Sequence, residues 1–239
     1  MRIWITGASS GIGASTAREL AKRGHELFLT ARSADKLAEL PGTPKPGDVT
    51  DREAIRRIAA ELAPLDVALL GAGTYVPVTP ESFSAELFRD HLEVNVMGTV
   101  HCIEAVLPDM LRRRAGRIAV VASVTGFAAL PRAEAYGATK AFLISMCDSL
   151  RADLDGTGVA VTVINPGYVR TPLTAQNEFR MPFLIEPEEA ARAIAGGLER
   201  GRPEISFPLP AALAMKLFGA LPGRLTRRYT ARVARGLRR

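Results

Sequence analysis

The 239-residue sequence predicts a single doubly wound α/β domain, with a mostly parallel central sheet flanked by helices and a helical extension at the C-terminus. Three observations carry that expectation. Short apolar, β-branched runs alternate with helical stretches as far as residue 208. Two of the runs, Arg117–Ser123 and Val159–Asn165, are almost continuously apolar, as strands covered on both faces must be. No internal repeat interrupts the alternation.

Composition narrows the class. Apolar residues make up 47% of the chain, enough for a sizeable core. Cys102 and Cys147 both lie in apolar surroundings, so neither a disulfide framework nor a cysteine metal site is expected. His25, His91 and His101 are scattered, and no metal site is expected from them. The chain opens Met-Arg-Ile-Trp-Ile, which reads as a strand rather than a leader and favours a cytoplasmic protein. The net charge of +6 sits in the tail. From Ile205 onward there are eight basic residues and no acidic one, so the remainder holds 31 − 8 = 23 basic against 25 acidic residues, or −2. That distribution argues against a nucleic-acid-binding body.

In chain order, Arg2–Thr6 is a short strand running into TGASSGIG, and a helix follows to about Arg23. Gly7, Gly11 and Gly13 permit a tight turn and close approach of a pyrophosphate to the helix N-terminus. Gly24 closes that helix, and Glu26–Ala31 is the second strand. In dinucleotide folds an acid at this strand end bonds the ribose of NAD, whereas an arginine accommodates the 2′-phosphate of NADP. Here Arg32 follows Ala31, which favours NADP(H) over NAD(H); Asp35 is a rival ribose ligand that also suits the first turn of the next helix, Ala34–Leu40. The proline-rich PGTPKPGD is tolerable only as an edge strand or loop. Asp51–Leu62 is helical, Asp66–Gly73 is a buried strand, and Thr74–Ser84 is a loop. Two helical segments cover 85–114, with Asn95 between them. The strand Arg117–Ser123, the loop Phe127–Ala133 and the helix Glu134–Asp155 come next. Pro166-Gly167 turns the following strand outward, Glu186–Gly201 is a helix, and Glu204–Pro208 is a final strand.

Ligands of such sheets bind at the carboxyl ends of the strands. The glycine loop, Arg32, Gly71–Gly73, Ser123 and Pro166-Gly167 all follow strands, so they collect along one edge and point to a nucleotide-dependent enzyme. Tyr136 and Lys140 are four apart, on one face of their helix. An ammonium beside a phenol lowers its pKa from about 10, which would bring Tyr136 towards use as an acid/base near neutrality.

These motifs together resemble the short-chain dehydrogenase/reductase family over about residues 2–201, with its Rossmann-type fold. TGASSGIG fits the family's glycine loop, Asp48 in DVT its adenine contact, and PGYVRT its segment closing over the nicotinamide. Asn95, Ser123, Tyr136 and Lys140 fit its Asn-Ser-Tyr-Lys tetrad. The resemblance implies hydride transfer between NADP(H) and a carbonyl or secondary alcohol. Tyr136 would be the proton donor, Ser123 would bond the reacting oxygen, Lys140 would lower the tyrosine pKa and hold the ribose, and Asn95 would support a water-linked proton path. It implies cofactor contacts from Gly7, Ser9, Ser10, Gly11, Ile12, Gly13, Arg32, Asp48, Val49, Ala72, Gly73, Pro166, Gly167, Val169 and Thr171, besides Tyr136 and Lys140. It also implies a homodimer or homotetramer paired through the helices at 99–114 and 134–155. Gly71 departs from the family, which usually has asparagine there.

Substrate choice is expected to rest on Phe127–Ala133 and Leu173–Ile185. The apolar second loop suits a lipophilic carbonyl or alcohol, or packing on the body. Residues 1–208 are expected to form the catalytic domain and 209–239 the extension. The extension has two readings: a helix packed on the body or a second subunit, which is favoured, or a basic amphipathic helix on an anionic membrane surface. The rival from another functional class is an NADP(H)-binding sensor or scaffold without turnover; the presence of both Tyr136 and Lys140 favours the enzyme.

Overall fold

The computed structural model describes residues 1–177 and 179–236. Glu178, in the second substrate loop, and Arg238 and Arg239 of the basic tail lie outside the described residues. Seven parallel strands form one sheet in the order β3-β2-β1-β4-β5-β6-β7. They are β1 (Arg2–Thr6), β2 (Glu26–Thr30), β3 (Thr43–Pro44), β4 (Val67–Leu70), β5 (Gly116–Val121), β6 (Val159–Pro166) and β7 (Glu204–Phe207). The expected mostly parallel sheet is thus parallel throughout. The proline-rich segment contributes two residues at the sheet edge, where a strand needs few donors.

Helices cover both faces, and side-chain alternation along the strands explains why both must be covered. Trp4 points to one face, with Ile55, Leu62, Met110, Leu143 and Cys147. Its neighbours Ile3 and Ile5 point to the other, with Leu20, Leu29, Leu37, Ile194 and Leu198. The first face is closed by α3 (Arg52–Leu62), α5 (Gly98–Arg113) and α6 (Glu134–Asp153). The second is closed by α1 (Gly11–Lys22), α2 (Ala34–Ala38) and α7 (Pro187–Glu199). Trp4 Nε1 donates to Thr30 Oγ1 at 2.8 Å, so the one polar atom of that buried ring is satisfied across β1 and β2. Cys102 and Cys147 are buried and unpaired, and burial pushes both thiols up. Among the described residues no group of His, Cys, Asp or Glu could hold a metal ion.

The two helical segments expected on either side of Asn95 are present. α4 (Ala85–His91) passes through a π-helical stretch, Leu92–Met97, straight into α5. The widened turn carries the fully buried Asn95, and such turns recur where a side chain must be re-aimed. Beyond β7 the chain forms α8 (Leu209–Ala220) and α9 (Gly223–Gly236). Among the described residues no helix is long and apolar enough to cross a membrane.

Candidate active site

Strand order reverses between β1 and β4, and the carboxyl ends there open into a cleft of about 490 Å³. Every cofactor contact expected from the sequence lines it, as do Ser123, Tyr136 and Lys140; Asn95 lies behind the wall. Leu173, Thr174 and Gln176, at the start of the loop expected to set substrate choice, also line it, as does Thr74, which belongs to no local motif and which sequence reasoning missed.

The floor of the cleft is the glycine loop. A Cβ at Gly13 would fall 2.2 Å from the Gly7 carbonyl oxygen, and one at Gly7, where φ is +69°, would fall 2.6 Å from that of Gly71. Only backbone fits at either place. Gly7 packs directly on the peptide of Gly71, and the amides of Gly71 and Ala72 turn towards Thr6 Oγ1 at 3.2 and 3.4 Å. Ser10, the N-cap of α1, makes no side-chain cap bond, so the first-turn N–H groups face the cleft without a side-chain acceptor. That cradle fits a pyrophosphate. Arg32 lines the cleft, is exposed, and has no ion pair or hydrogen bond among the described residues. Asp48 lines it too, with Oδ1 occupied by the Thr50 amide and hydroxyl at 3.0 and 2.9 Å. The segment after β6 closes from the far side: the Thr171 methyl lies where a Cβ on Gly11 would meet it at 3.0 Å.

The reactive end is built by β5 and α6. Ser123 follows β5 and starts a 3₁₀ turn, Val124–Gly126, that packs so closely on α6 that a Cβ at Gly126 would lie 2.8 Å from the Lys140 backbone. This contact fixes Ser123 against the helix carrying Tyr136 and Lys140. Ser123 Oγ accepts from Thr125 Oγ1 at 2.9 Å. Asn95 Oδ1 accepts from the Thr74 amide at 2.7 Å, while its Nδ2 donates to the Thr74 carbonyl at 3.1 Å and to Thr139 Oγ1 at 3.0 Å. Thr139 Oγ1 in turn donates to the Tyr136 carbonyl at 2.7 Å. One buried amide therefore ties the loop after β4 to the helix of the tyrosine.

Electrostatics correct one expectation. Lys140 Nζ donates to the Val121 carbonyl at 2.8 Å and stands 5.4 Å from the centre of the Tyr136 ring. Burial pushes the Tyr136 phenol up to about 12, partly offset by a hydrogen bond with Ser123 and reinforced by Tyr75. Burial also pulls the Lys140 ammonium down to about 8. The phenol is shifted up, not down as the spacing suggests, because desolvation dominates. Burial thus favours the protonated phenol of Tyr136.

A tyrosine outside the motifs completes the wall. Tyr75 meets Tyr136 edge-on, with ring centroids 5.1 Å apart. Its hydroxyl donates to Asn177 Oδ1 at 3.1 Å, and its carbonyl accepts from Gln176 Nε2 at 3.0 Å. The loop after β6, pinned at its base by the Val169–Ile185 bridge, is thereby latched over the reactive tyrosine. Tyr75→Phe is expected to raise the substrate KM about two- to tenfold, the worth of one hydrogen bond, with NADPH affinity unchanged. Steady-state kinetics and cofactor titration check it.

Fold and cleft define a nucleotide-binding α/β protein of the Rossmann type. Comparison with known proteins narrows this: the sequence model of the short chain dehydrogenase family matches residues 2–181, and the chain belongs to that family. An uncharacterized oxidoreductase of Myxococcus xanthus is 39% identical over 234 residues, 92% of each chain. A short chain dehydrogenase from Burkholderia cenocepacia, solved in complex with NADP, superposes with a TM-score of 0.85 at 26% identity, covering 95% of this chain and 96% of that one. A short-chain dehydrogenase from Sphingobium yanoikuyae, solved with NADPH, gives 0.80 at 26% identity, covering 93% and 96%.

Proposed function

We propose that this oxidoreductase interconverts a carbonyl and a secondary alcohol with NADP(H) as cofactor. The observation that carries the reading is the convergence of Ser123, Tyr136 and Lys140 on the cleft that the glycine loop floors. When bound, the nicotinamide supplies or accepts the hydride. Tyr136, protonated at neutral pH, donates its proton to the carbonyl oxygen as the alcohol forms and accepts one in the reverse direction. Ser123 donates a hydrogen bond to the same oxygen, stabilising the charge that develops there. Lys140, charged at neutral pH, offsets negative charge left on the phenol and binds the ribose. Asn95 acts as a positioning residue, its amide holding α6 and the loop after β4 in register.

The cofactor assignment rests on Arg32, exposed at the cleft with its charge unpaired among the described residues. The NADP and NADPH bound by two structural relatives support it. Arg32→Asp is expected to weaken NADPH about ten- to a hundredfold and to spare NADH, the worth of a charge-assisted hydrogen bond. Fluorescence titration with both cofactors tests this; unchanged NADPH affinity would contradict the assignment.

The substrate is lipophilic in this reading. Tyr168 and Phe179 stack edge-on at 6.0 Å in the loop region after β6, and Phe183 is 55% exposed beside them in sequence. The protein works in the cytoplasm as a homodimer or homotetramer through α5 and α6, where Leu111 and Phe142 stand 39% and 48% exposed. Residues 1–208 are the catalytic domain, and 209–239 form its extension.

A further inference from the structure

The C-terminal helices leave apolar side chains on α8 and basic ones on α9 in the open. α8 buries Ala212 against the body, and a Cβ at Gly219 would lie 2.1 Å from the Phe127 carbonyl oxygen. Its outward face carries Leu209, Leu213 and Leu217 at four-residue spacing, then Leu221; these are 62%, 50%, 69% and 45% exposed. Single exposed leucines are ordinary, but a continuous helical stripe marks an interaction surface. α9 then presents Arg224, Arg227, Arg228, Arg232 and Arg235 to solvent, beside exposed Leu225 and Tyr229. The Phe218 and Tyr229 rings, one on each helix, meet edge-on at 5.2 Å. Lys216 is paired with Glu204 at 2.6 Å, whereas these five arginines have no ion pair among the described residues. No Asp or Glu follows Glu204 in the sequence.

We propose that α8 and α9 dock on a bilayer surface containing anionic lipid. The leucines enter the boundary between headgroups and acyl chains, and the guanidinium groups bond lipid phosphates. Charge selects this occupant. Two copies meeting through these same helices would oppose unpaired arginines with arginines, which is repulsive. An anionic bilayer satisfies the apolar and the basic surfaces together. α8 also adjoins the cleft: it lies against Phe127, next to the turn begun by Ser123, and Ala211 approaches Gly167. Docking therefore brings the substrate end of the cleft to the lipid.

The test uses the full chain and vesicle flotation, with phosphatidylcholine alone or mixed with phosphatidylglycerol, across a salt series. The protein is expected to float with the mixed vesicles, to stay down with phosphatidylcholine alone, and to be released by salt. Arg228→Ala with Arg232→Ala should lower vesicle affinity about thirtyfold, at about 1 kcal/mol per arginine. Leu213→Ser with Leu217→Ser should lower it by a similar factor, through lost apolar burial. Neither pair lines the cleft, so NADPH binding by each variant reports that it is folded. Absence of flotation with the mixed vesicles, equal flotation with both, or flotation indifferent to both variant pairs would overturn the proposal. Sedimentation separates the rival occupant. Self-association lost on Leu213→Ser with Leu217→Ser, in a chain that binds no vesicle, would assign the surface to a second copy and sink the lipid assignment.

Discussion

Tyr136→Phe is expected to lower kcat by about 10²- to 10⁴-fold, the usual contribution of a positioned proton donor, while NADPH binding persists. The phenylalanine ring preserves the edge-on contact with Tyr75 and the cation–ring contact with Lys140, so the change removes the hydroxyl and little else. Stability should hardly move. The comparison with Ser123→Ala is informative. Ser123 caps its own turn through the Thr125 amide at 3.2 Å, so its loss also loosens the loop after β5. A smaller fall in kcat, of about 10²-fold, combined with a lower Tm would fit a hydrogen-bond donor that also holds its turn. Equal kcat in Tyr136→Phe and the parent would remove the tyrosine from the chemistry.

Lys140→Met should carry the second large effect, with a distinctive pH signature. Burial brings the ammonium down to about 8, so the charge that offsets the phenolate is present at pH 7 and is lost as pH rises through 8. The rate of carbonyl reduction in the parent should therefore be level near neutrality and fall above pH 8. The variant should be slower at pH 7 by about 10²-fold or more and should lack that fall. Stability moves the other way. The folded pKa lies below the unfolded value of 10.5, so between pH 8 and 10.5 the unfolded chain binds more protons than the folded one. The penalty of burying the charge is present in full below pH 8 and is relieved as pH rises to 10.5. Relative to the parent, Lys140→Met should thus be at its most stable near pH 7 and lose that advantage towards pH 10.5. Thermal melts across this range check the sign; an advantage that grows with pH would contradict it.

Much of this was legible from residue types and spacing. The strand–glycine–helix opening, Ser123 at a strand end and the four-residue step from Tyr136 to Lys140 are local, and local patterns survive folding. The prolines around Thr43 forecast an edge position because a central strand would need their missing donors. Four features were not legible, each for a physical reason. The π-helical turn at Asn95 depends on partners at Thr74 and Thr139, far along the chain, that no periodicity encodes. The direction of the Tyr136 shift depends on burial, which a four-residue spacing does not report; the spacing brought the ammonium near, and Val121 engaged it. The Tyr75 latch joins residues 102 apart, in two loops with no shared motif. α8 and α9 were expected as an extension, but the exposure of the leucine stripe follows only from the way α8 lies on Phe127.

The central claim, that this cleft transfers hydride to a carbonyl carbon, is tested most directly by following the hydrogen. NADPH deuterated at the transferable position would be incubated with a graded series of lipophilic ketones, and the products read by mass spectrometry. The account predicts a secondary alcohol carrying one deuterium on the carbinol carbon, formed by the parent and absent with Tyr136→Phe. NADPH held tightly with no deuterium passed to any ketone in the series would contradict it.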